Sequence, residues 1–443
     1  MTMPKTLSPG LLPAYAMRVL SALEDAGWEA WIVGGWVRDA LRGDPAHDVD
    51  MASNAPWKKS EQALREAGID VHETGTAHGT ITAVVDDKPI EITTYRTEST
   101  YSDFRHPDSV TFVDTIEQDL SRRDFTINAM AWHPIRGLKD PFGGRKDLAA
   151  GIIRAVGDPQ KRFHEDALRI LRAVRFAARY SFVIDPETQQ ALEECSGELA
   201  LIASERIGQE LNRILESKRL GWALKYERIV LRAAVSELAK LSKQQWEELC
   251  EEASLIEALA GGLCPQTLRW AALFSQNTVK EAQNALKRMA QRTEVVAGVE
   301  ALLMENEAAA DLLERKSVAR EKVLNLVSEL ERMSKGSGFP LSFQLVELWQ
   351  ARSIVERWTD ERRRNIATIK TLLTELCAEK LPLKPAELVL SGCEAMELLK
   401  LEPGPKVGNV MNEILHQVTA GAVSNNHDEL VSFVRNHAAE LTD

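Results

Sequence analysis

The chain has 443 residues, more than a single hydrophobic core accommodates, and this length predicts two to four domains. With 44% hydrophobic and 27% charged residues, its composition is that of an ordinary globular protein. It contains no apolar run near the roughly 20 residues of a membrane span and no signal-peptide core at its start, so we expect a cytoplasmic protein without membrane contact. Five widely spaced cysteines without a CxxC pair argue against a disulfide framework and a structural zinc site.

The net charge of −12 argues at first against a nucleic-acid partner, but nucleic-acid binding requires only a local basic surface. Residues 161–179 contain six basic and only two acidic side chains, while acidic residues concentrate farther along the chain. Basic and acidic residues are therefore segregated along the chain, and the net charge does not exclude an RNA partner.

The first part of the chain alternates helix and strand signals. An amphipathic helix is predicted over residues 11–26, and a Gly-ended helix over 36–43 follows an apolar strand at 30–35. A short strand at 48–53, a helix at 56–68 and a hairpin at 80–95 that turns at Asp86-Asp87-Lys88 come next. Residues 96–111 are polar and predict a loop.

From about Asp114 onward nearly every segment has helical periodicity, apart from a link at residues 134–147. The sequence thus predicts an α+β chain, in which a mixed α/β head precedes a long all-helical remainder. Breaks within the helical part are predicted near residues 225–240 and at Ser334–Pro340, where Gly and Pro mark a turn or linker.

Two aspartates in the predicted strand at 48–53 are candidates for a metal site. Asp48 and Asp50 are two residues apart, so in a strand both carboxylates project from one face, and Mg²⁺ prefers such oxygen ligands. The preceding Gly34-Gly35 pair opens a helix whose N–H groups suit phosphates, and Arg38 adds a charged donor. Glu91, in the hairpin, is a candidate third carboxylate. A tight turn and exposed surface carboxylates remain the structural alternative.

The segment RRDFTINAMA places further polar groups at a predicted helix start. Asp124 is the predicted N-cap, and Arg123 and Asn128 lie beside it. This set suits a ribose and a triphosphate, although an ordinary capped helix explains it equally well.

The helix predicted over residues 163–182 carries a row of arginines. Asp166 and Arg169 are helical neighbours, and a row of mostly one sign requires an anion against it. A carboxylate accepts from an exocyclic amino group while a guanidinium donates to a ring acceptor, so the pair would accept cytosine and adenine and reject guanine and uracil. An ordinary surface salt bridge is the alternative.

Four ordered motifs, GGWVRD…DVD, RRDFTINA, EDALRILRAVRFA and SERIGQEL, resemble those of the class II tRNA nucleotidyltransferase and poly(A) polymerase family. The resemblance covers about residues 28–215, with a weaker likeness near the C-terminus. It implies a polymerase-beta-like nucleotidyltransferase head with a mixed sheet, followed by an all-helical neck, body and tail. The corresponding ranges are 1–140, 141–225, 226–335 and 336–443.

The resemblance also implies a role for each matching residue. It makes Asp48 and Asp50 the ligands of two Mg²⁺ ions and the pair Asp166 and Arg169 the template for the base. It assigns the incoming triphosphate to Gly35, Arg38 and Arg123, its ribose to Asp124 and Asn128, and the rest of the nucleotide pocket to Arg172 and Arg175. A later motif with Glu205, Arg206 and Glu210 would brace the template helix.

Members of this family add CCA, CC only, A only, or poly(A). The loop after the second head strand is full length and keeps Asp103 and Arg105, which resembles enzymes able to switch from C to A. We therefore expect CCA addition to the 3′ end of tRNA from CTP and ATP, with no DNA partner. An A-adding tRNA nucleotidyltransferase is the nearest alternative, and a non-catalytic RNA-binding protein that retains the fold is an alternative from another class.

Overall fold

The structure, a computed structural model, describes residues 6–46, 48–98, 110–217, 219–259, 265–304, 312–334 and 338–442. The chain divides into two compact units. The first comprises Met1–Arg219 and Tyr226–Ser236, and the second comprises Leu220–Lys225 and Glu237–Asp443.

A mixed sheet organises the first unit. Its strands are β1 (Ala30–Val33), β2 (Asp50–Ser53), β3 (Asp70–Gly75), β4 (Thr80–Val85), β5 (Lys88–Thr94), β8 (Ala131–His133) and β9 (Gly137–Lys139), in the order β3-β4-β5-β2-β1-β8-β9. β2 and β5 are parallel, and the other neighbours are antiparallel. Two smaller pairs are formed by β6 (Arg96–Glu98) with β7 (Val110–Phe112), and by β10 (Ile152–Ile153) with β11 (Val183–Ile184).

Helices cover the sheet and continue beyond it in the first unit. They are α1 (Ala14–Asp25), α2 (Gly35–Arg42), α3 (Trp57–Glu66), α4 (Ile116–Ser121), α5 (Gly144–Ala150), α6 (Pro159–Glu165), α7 (Leu168–Tyr180), α8 (Pro186–Cys195), α9 (Ser204–Glu216) and Arg228–Ala234. Short 3-10 helices lie at Pro9–Leu11, Thr76–His78, Thr126–Asn128 and Ser196–Leu201. A buried cluster that includes Trp31, Tyr95 and Leu120 packs α4 against the sheet.

The local signals of the head are largely confirmed. α2 ends at Gly43, which adopts the left-handed conformation that caps helices. β4 and β5 form the predicted hairpin, and both turn residues, Asp86 and Asp87, have positive φ. The predicted α+β class, with a mixed-sheet head and a helical remainder, is confirmed.

Several local predictions are wrong. Asp48 does not lie in a strand, because β2 begins at Asp50. Arg123 and Asp124 do not begin an α-helix: their segment is extended and pairs with residues 154–156, and only a 3-10 turn follows. β8 lies where helical periodicity is predicted, and β9 lies in the predicted link at residues 134–147. β6 and part of β7 lie at the two ends of the predicted loop at residues 96–111. These three-residue strands are too short for periodicity to reveal.

In the second unit the described regular structure is helical. The helices are Leu220–Tyr226, Ser236–Ala239, Lys243–Leu259, Gln266–Leu273, Val279–Arg288, Thr293–Leu303, Arg320–Ser334, Gly338–Val355, Asp360–Glu379, Pro385–Glu387 (3-10), Gly392–Leu399, Pro405–Thr419, His427–Asn436 and Ala438–Thr442. A separate apolar cluster that includes Leu390, Ile414 and Leu430 joins the last of these helices. Within the described ranges, no helix combines the length and apolar content that crossing a membrane requires.

Candidate functional site

Three carboxylates meet at the beginning of β2. Asp50 is the first residue of that strand and pairs in register with Glu91 of the parallel strand β5, while Asp48 lies two residues earlier and is exposed. Burial, followed by the charge of Glu91, raises the pKa of Asp50 to about 6; Arg123 opposes this shift and Asp48 adds to it. The cluster therefore carries negative charge at a cost that a bound cation would relieve.

The turn into α2 is built close to a guanidinium group. Gly34 has a φ of +71°, and a Cβ atom at this position would lie 3.0 Å from Nη1 of Arg123. Gly35 begins α2 without positive φ, and its Cβ would meet Nη2 of Arg38 at an ordinary 3.6 Å. Arg123 donates to Asp119 at 3.2 Å, but its buried Nε has no hydrogen-bond partner among the described residues. This N–H and the start of α2 suit an anion.

Arg38 is held rigidly between polar and aromatic groups. Its Nη1 donates to Asn128 Oδ1 at 2.6 Å, and its Nε and Nη2 donate to the Asp39 carboxylate at 2.8 and 2.9 Å. Its guanidinium carbon lies 5.3 Å from the ring centre of Phe176 and 5.1 Å from that of Tyr180. A guanidinium fixed in this way has a defined orientation at the site.

Asp124 ties the extended segment to α7. Arg172 donates to its Oδ2 through Nε at 2.9 Å and through Nη2 at 2.5 Å, and Asn128 Nδ2 donates to its Oδ1 at 3.0 Å. Burial alone would raise the pKa of Asp124, but the charge of Arg172 and these hydrogen bonds outweigh it and hold that pKa far below its usual value. Asp124 is therefore a permanent anion that orients both neighbours.

The Arg169 N–H donates to the Asp166 carbonyl at 2.9 Å, but the two side chains do not form the expected pair. Asp166 follows the end of α6, and α7 begins only at Leu168. Asp166 accepts from Arg206 at 3.0 Å. Arg169 donates to the Glu165 carboxylate at 2.6 Å, and also to the carbonyl groups of Arg162 and Arg122. The expected direct pair is thus replaced by two separate ion pairs, although both side chains face one cavity.

The arginine row along α7 is neutralised by the protein itself, so it does not require an external anion. Arg172 is paired with Asp124, and Arg175 donates through Nε to Glu210 of α9 at 2.7 Å. Arg175 and Glu210 are 6% and 3% exposed, and Arg175 does not line the cavity. Arg179 is exposed at the far end of the helix.

One cavity of about 420 Å³ collects most of these groups. Its lining residues are Gly34, Gly35, Arg38, Asp50, Arg122, Arg123, Asp124, Asn128, Asp166, Leu168, Arg169, Arg172, Phe176 and Arg206. Its volume suits a small-molecule ligand, and its walls carry three carboxylates and several guanidinium groups. Of the predicted site residues, Asp48, Glu91 and Arg175 do not belong to this lining.

Comparison with known proteins decides the family. The model of the Poly A polymerase head domain matches residues 30–154, and the probable RNA and SrmB-binding site of polymerase A matches residues 181–226. A CCA-adding enzyme of Leuconostoc mesenteroides is 34% identical over 424 residues, which cover 95% of this chain and 96% of that protein. The chain belongs to the family of CCA-adding enzymes.

Solved structures of CCA-adding enzymes and of related proteins have the same fold. The crystal structure of the Bacillus stearothermophilus CCA-adding enzyme in complex with CTP has a TM-score of 0.71 and 27% identity, and the alignment covers 98% of this chain and 99% of that one. A tRNA nucleotidyltransferase complexed with a primer tRNA and an incoming ATP analogue has a TM-score of 0.60 and 25% identity, over 82% of this chain and 100% of that one. The predicted resemblance is confirmed.

A CCA-adding enzyme is a nucleotidyltransferase, and this chain is therefore an enzyme of that class. Nucleotidyltransferases of this family typically depend on a metal ion. The cluster of Asp48, Asp50 and Glu91 fits such an ion, since it offers oxygen donors whose mutual repulsion a cation would remove.

Sequence motifs identified most of the residues that line the cavity but missed some of them. Arg122 and Phe176 line it beside the predicted residues. Gly34, and not Gly35, is the glycine that the backbone requires, which a positive φ reveals only in three dimensions. Asp103 and Arg105, on which the expectation of CCA addition depended, lie outside the described residues.

Proposed function

We propose that this protein adds C, C and A to the 3′ end of tRNA, using CTP and ATP without a nucleic-acid template and releasing pyrophosphate. The observation that carries the proposal is that Asp50 lines the same cavity as Asp166 and Arg169. A nucleotide bound there would present its phosphates to the metal site at Asp50 and its base to Asp166 and Arg169.

We further propose that the metal is Mg²⁺ and that Asp48 and Asp50 hold two such ions, with Glu91 as a supporting carboxylate. The donor set contains only carboxylate oxygens, which suits a hard cation. When bound, Mg²⁺ would activate the primer 3′-hydroxyl and neutralise charge on the leaving pyrophosphate. No separate side-chain general base is assigned.

The chain's own groups would position the triphosphate and the ribose. Arg123, whose buried Nε has no partner among the described residues, and the start of α2 at Gly34-Gly35 line the same cavity and would donate to one anion. Arg38 is already fixed by Asp39 and Asn128 and adds positive charge without a loss of side-chain freedom. Because Asp124 and Asn128 bind each other and line the cavity, they are suited to order the ribose hydroxyl groups.

Base selection would use Asp166 as acceptor and Arg169 as donor. Cytosine and adenine both place an amino group beside a ring acceptor, so they satisfy both side chains, whereas guanine and uracil present the opposite polarity. Arg206 and Glu165 hold the two side chains in separate ion pairs. Binding of the correct base would compete with these ion pairs, and Glu205 and Glu210 would support the same region from α9.

Arg175 is proposed to act on the pocket only through its ion pair with Glu210, which anchors α7 to α9. For the chain as a whole, we propose a nucleotidyltransferase head at 1–140, a base-selecting neck at 141–225, a body at 226–335 and a tRNA-binding tail at 336–443. The two compact units divide near residues 219–237, close to the proposed start of the body. A cytoplasmic location accompanies this proposal, since tRNA maturation of this kind uses free nucleotides.

The decisive experiment incubates the purified protein with a tRNA transcript that lacks CCA, in the presence of Mg²⁺. CTP alone, ATP alone, both together, and UTP or GTP are compared on a sequencing gel. Growth by two nucleotides with CTP and by three with both, followed by arrest, supports CCA addition. Asp48→Asn should abolish growth, while Glu73→Gln, an exposed carboxylate on β3, serves as the matched control.

The alternatives give different products in the same assay. An A-adding enzyme extends only a tRNA that already ends in CC, and it ignores CTP. A non-catalytic RNA-binding protein retards the tRNA in a gel but extends no primer. The replacement of Asp166 and Arg169 by alanine should relax base choice while some transfer survives, and unchanged selection of C and A would refute their template role.

A further inference from the structure

A second cluster of metal-ligand side chains lies outside the nucleotide cavity. His164, near the end of α6, faces Cys195 at the end of α8 and Glu198 in the 3-10 helix that follows. One donor atom from each residue lies within 4.8 Å of the others. Cys195 and Glu198 follow His164 by 31 and 34 positions along the chain, so no sequence spacing of the CxxC kind reveals the cluster.

The distances between these donors fit a zinc ion. Cys195 Sγ and His164 Nε2 are 3.9 Å apart, and His164 Nδ1 lies 2.5 Å from Glu198 Oε1. Zinc bonds of about 2.3 Å to sulfur and about 2.0 Å to nitrogen place two such donors roughly 3.6 Å apart in a tetrahedral arrangement. A carboxylate beside the other ring nitrogen is the usual support of a metal-bound histidine.

Two further observations distinguish this cluster from an ordinary ion pair. Glu198 Oε2 is buried and has no hydrogen-bond partner among the described residues, which leaves an acceptor unused. Glu194 and Asp158 add further negative charge near the Cys195 sulfur. A bound divalent cation would offset this charge.

We propose that His164 Nε2 and the Cys195 sulfur bind a zinc ion, that Glu198 holds His164 through Nδ1, and that water completes the coordination on the exposed side of His164. On binding, the ion forms a bond to the Cys195 sulfur, and the thiol proton is released to solvent. The N and S donors select zinc over Mg²⁺. The bound ion would join the end of α6 to the end of α8. Its ligand in α6, His164, lies two residues before Asp166.

Cobalt titration of the chelator-treated full-length protein tests the site, because a thiolate ligand gives cobalt a near-ultraviolet charge-transfer band. One equivalent of Co²⁺ should produce this band in the wild type, and Zn²⁺ should displace it even in excess Mg²⁺. Cys195→Ser should lose the band. Cys377→Ser, which removes an exposed thiol elsewhere, should keep it. Equal spectra from Cys195→Ser and the wild type overturn the proposal.

A second variant guards against misfolding of a substituted buried cysteine. His164 is exposed, so His164→Asn should fold normally, yet it should weaken Zn²⁺ affinity by at least about tenfold. Zn²⁺ should raise the Tm of the wild type and Cys377→Ser but not that of His164→Asn. Unchanged Zn²⁺ affinity in His164→Asn refutes the site. Since neither readout uses nucleotide or tRNA, these outcomes are independent of the proposed CCA addition.

Discussion

Neutralising Asp50 by substitution should abolish activity but make the metal-free protein more stable. The pKa of this carboxyl is raised from 3.8 to about 6, so the folded state holds its proton more tightly than the unfolded state does. A shift of this size corresponds to about 3 kcal/mol of lost stability once Asp50 is ionised. Asp50→Asn removes the charge and keeps the shape, so it should recover up to this amount.

The pH dependence gives the sign of the effect. Below about pH 4 the group is protonated in both states, and the wild type pays no penalty. The penalty develops as pH rises from about 4 to about 6 and is complete above that range. Asp50→Asn should therefore exceed the wild type in stability at about pH 7.5, with a smaller gain at about pH 5 and no gain near pH 4.

Urea unfolding in the presence of EDTA measures this difference, with Glu73→Gln as the control for the loss of a carboxylate from the same sheet. Mg²⁺ should then stabilise the wild type and Glu73→Gln but not Asp50→Asn. If Asp50→Asn is no more stable than Glu73→Gln at about pH 7.5 without metal, the electrostatic account of this cluster is wrong.

Two further predictions concern the walls of the site. Gly34→Ala combines a positive φ with a Cβ atom 3.0 Å from a guanidinium group. It should lower the free energy of unfolding in urea by about 1–3 kcal/mol and raise the KM for CTP. Gly35→Ala lacks that strain and should change neither quantity. Arg175→Ala leaves Glu210 buried without its strongest partner and should cost about 3–5 kcal/mol. Arg213→Ala, which removes the exposed partner of the same carboxylate, should cost at most about 1 kcal/mol, and equal losses would contradict the burial argument.

Much of this protein follows from short-range patterns in its sequence. The hairpin at residues 80–95 is encoded by alternation and by two aspartates that tolerate positive φ, and α2 is bounded by glycines at both ends. Ordered motifs alone place Asp50, Asp166 and Arg169 among the candidate functional residues. Each of these patterns depends on residues near one another in the chain, so it can be recognised without knowledge of the fold.

Other features arise only when distant segments meet. The strand at 131–133 is defined by pairing with β1, and the strand at 137–139 by pairing with β8. The segment around Asp124 is extended because it pairs with residues 154–156. A helical wheel pairs Asp166 with Arg169, but the chain breaks the helix between them and gives each another partner. The buried Arg175–Glu210 pair and the His164–Cys195 contact join residues more than 30 positions apart.

The sequence by itself therefore determined which charged and polar side chains are available to the site, whereas the tertiary structure determined how their charges interact. DVD supplies carboxylates, but only the parallel register with Glu91 and the burial of Asp50 create the repulsion that a cation relieves. The arginine row of α7 is evident in the sequence, yet its charges are balanced by carboxylates from other segments. Charge interactions depend on distance and burial, and neither quantity is encoded locally in the chain.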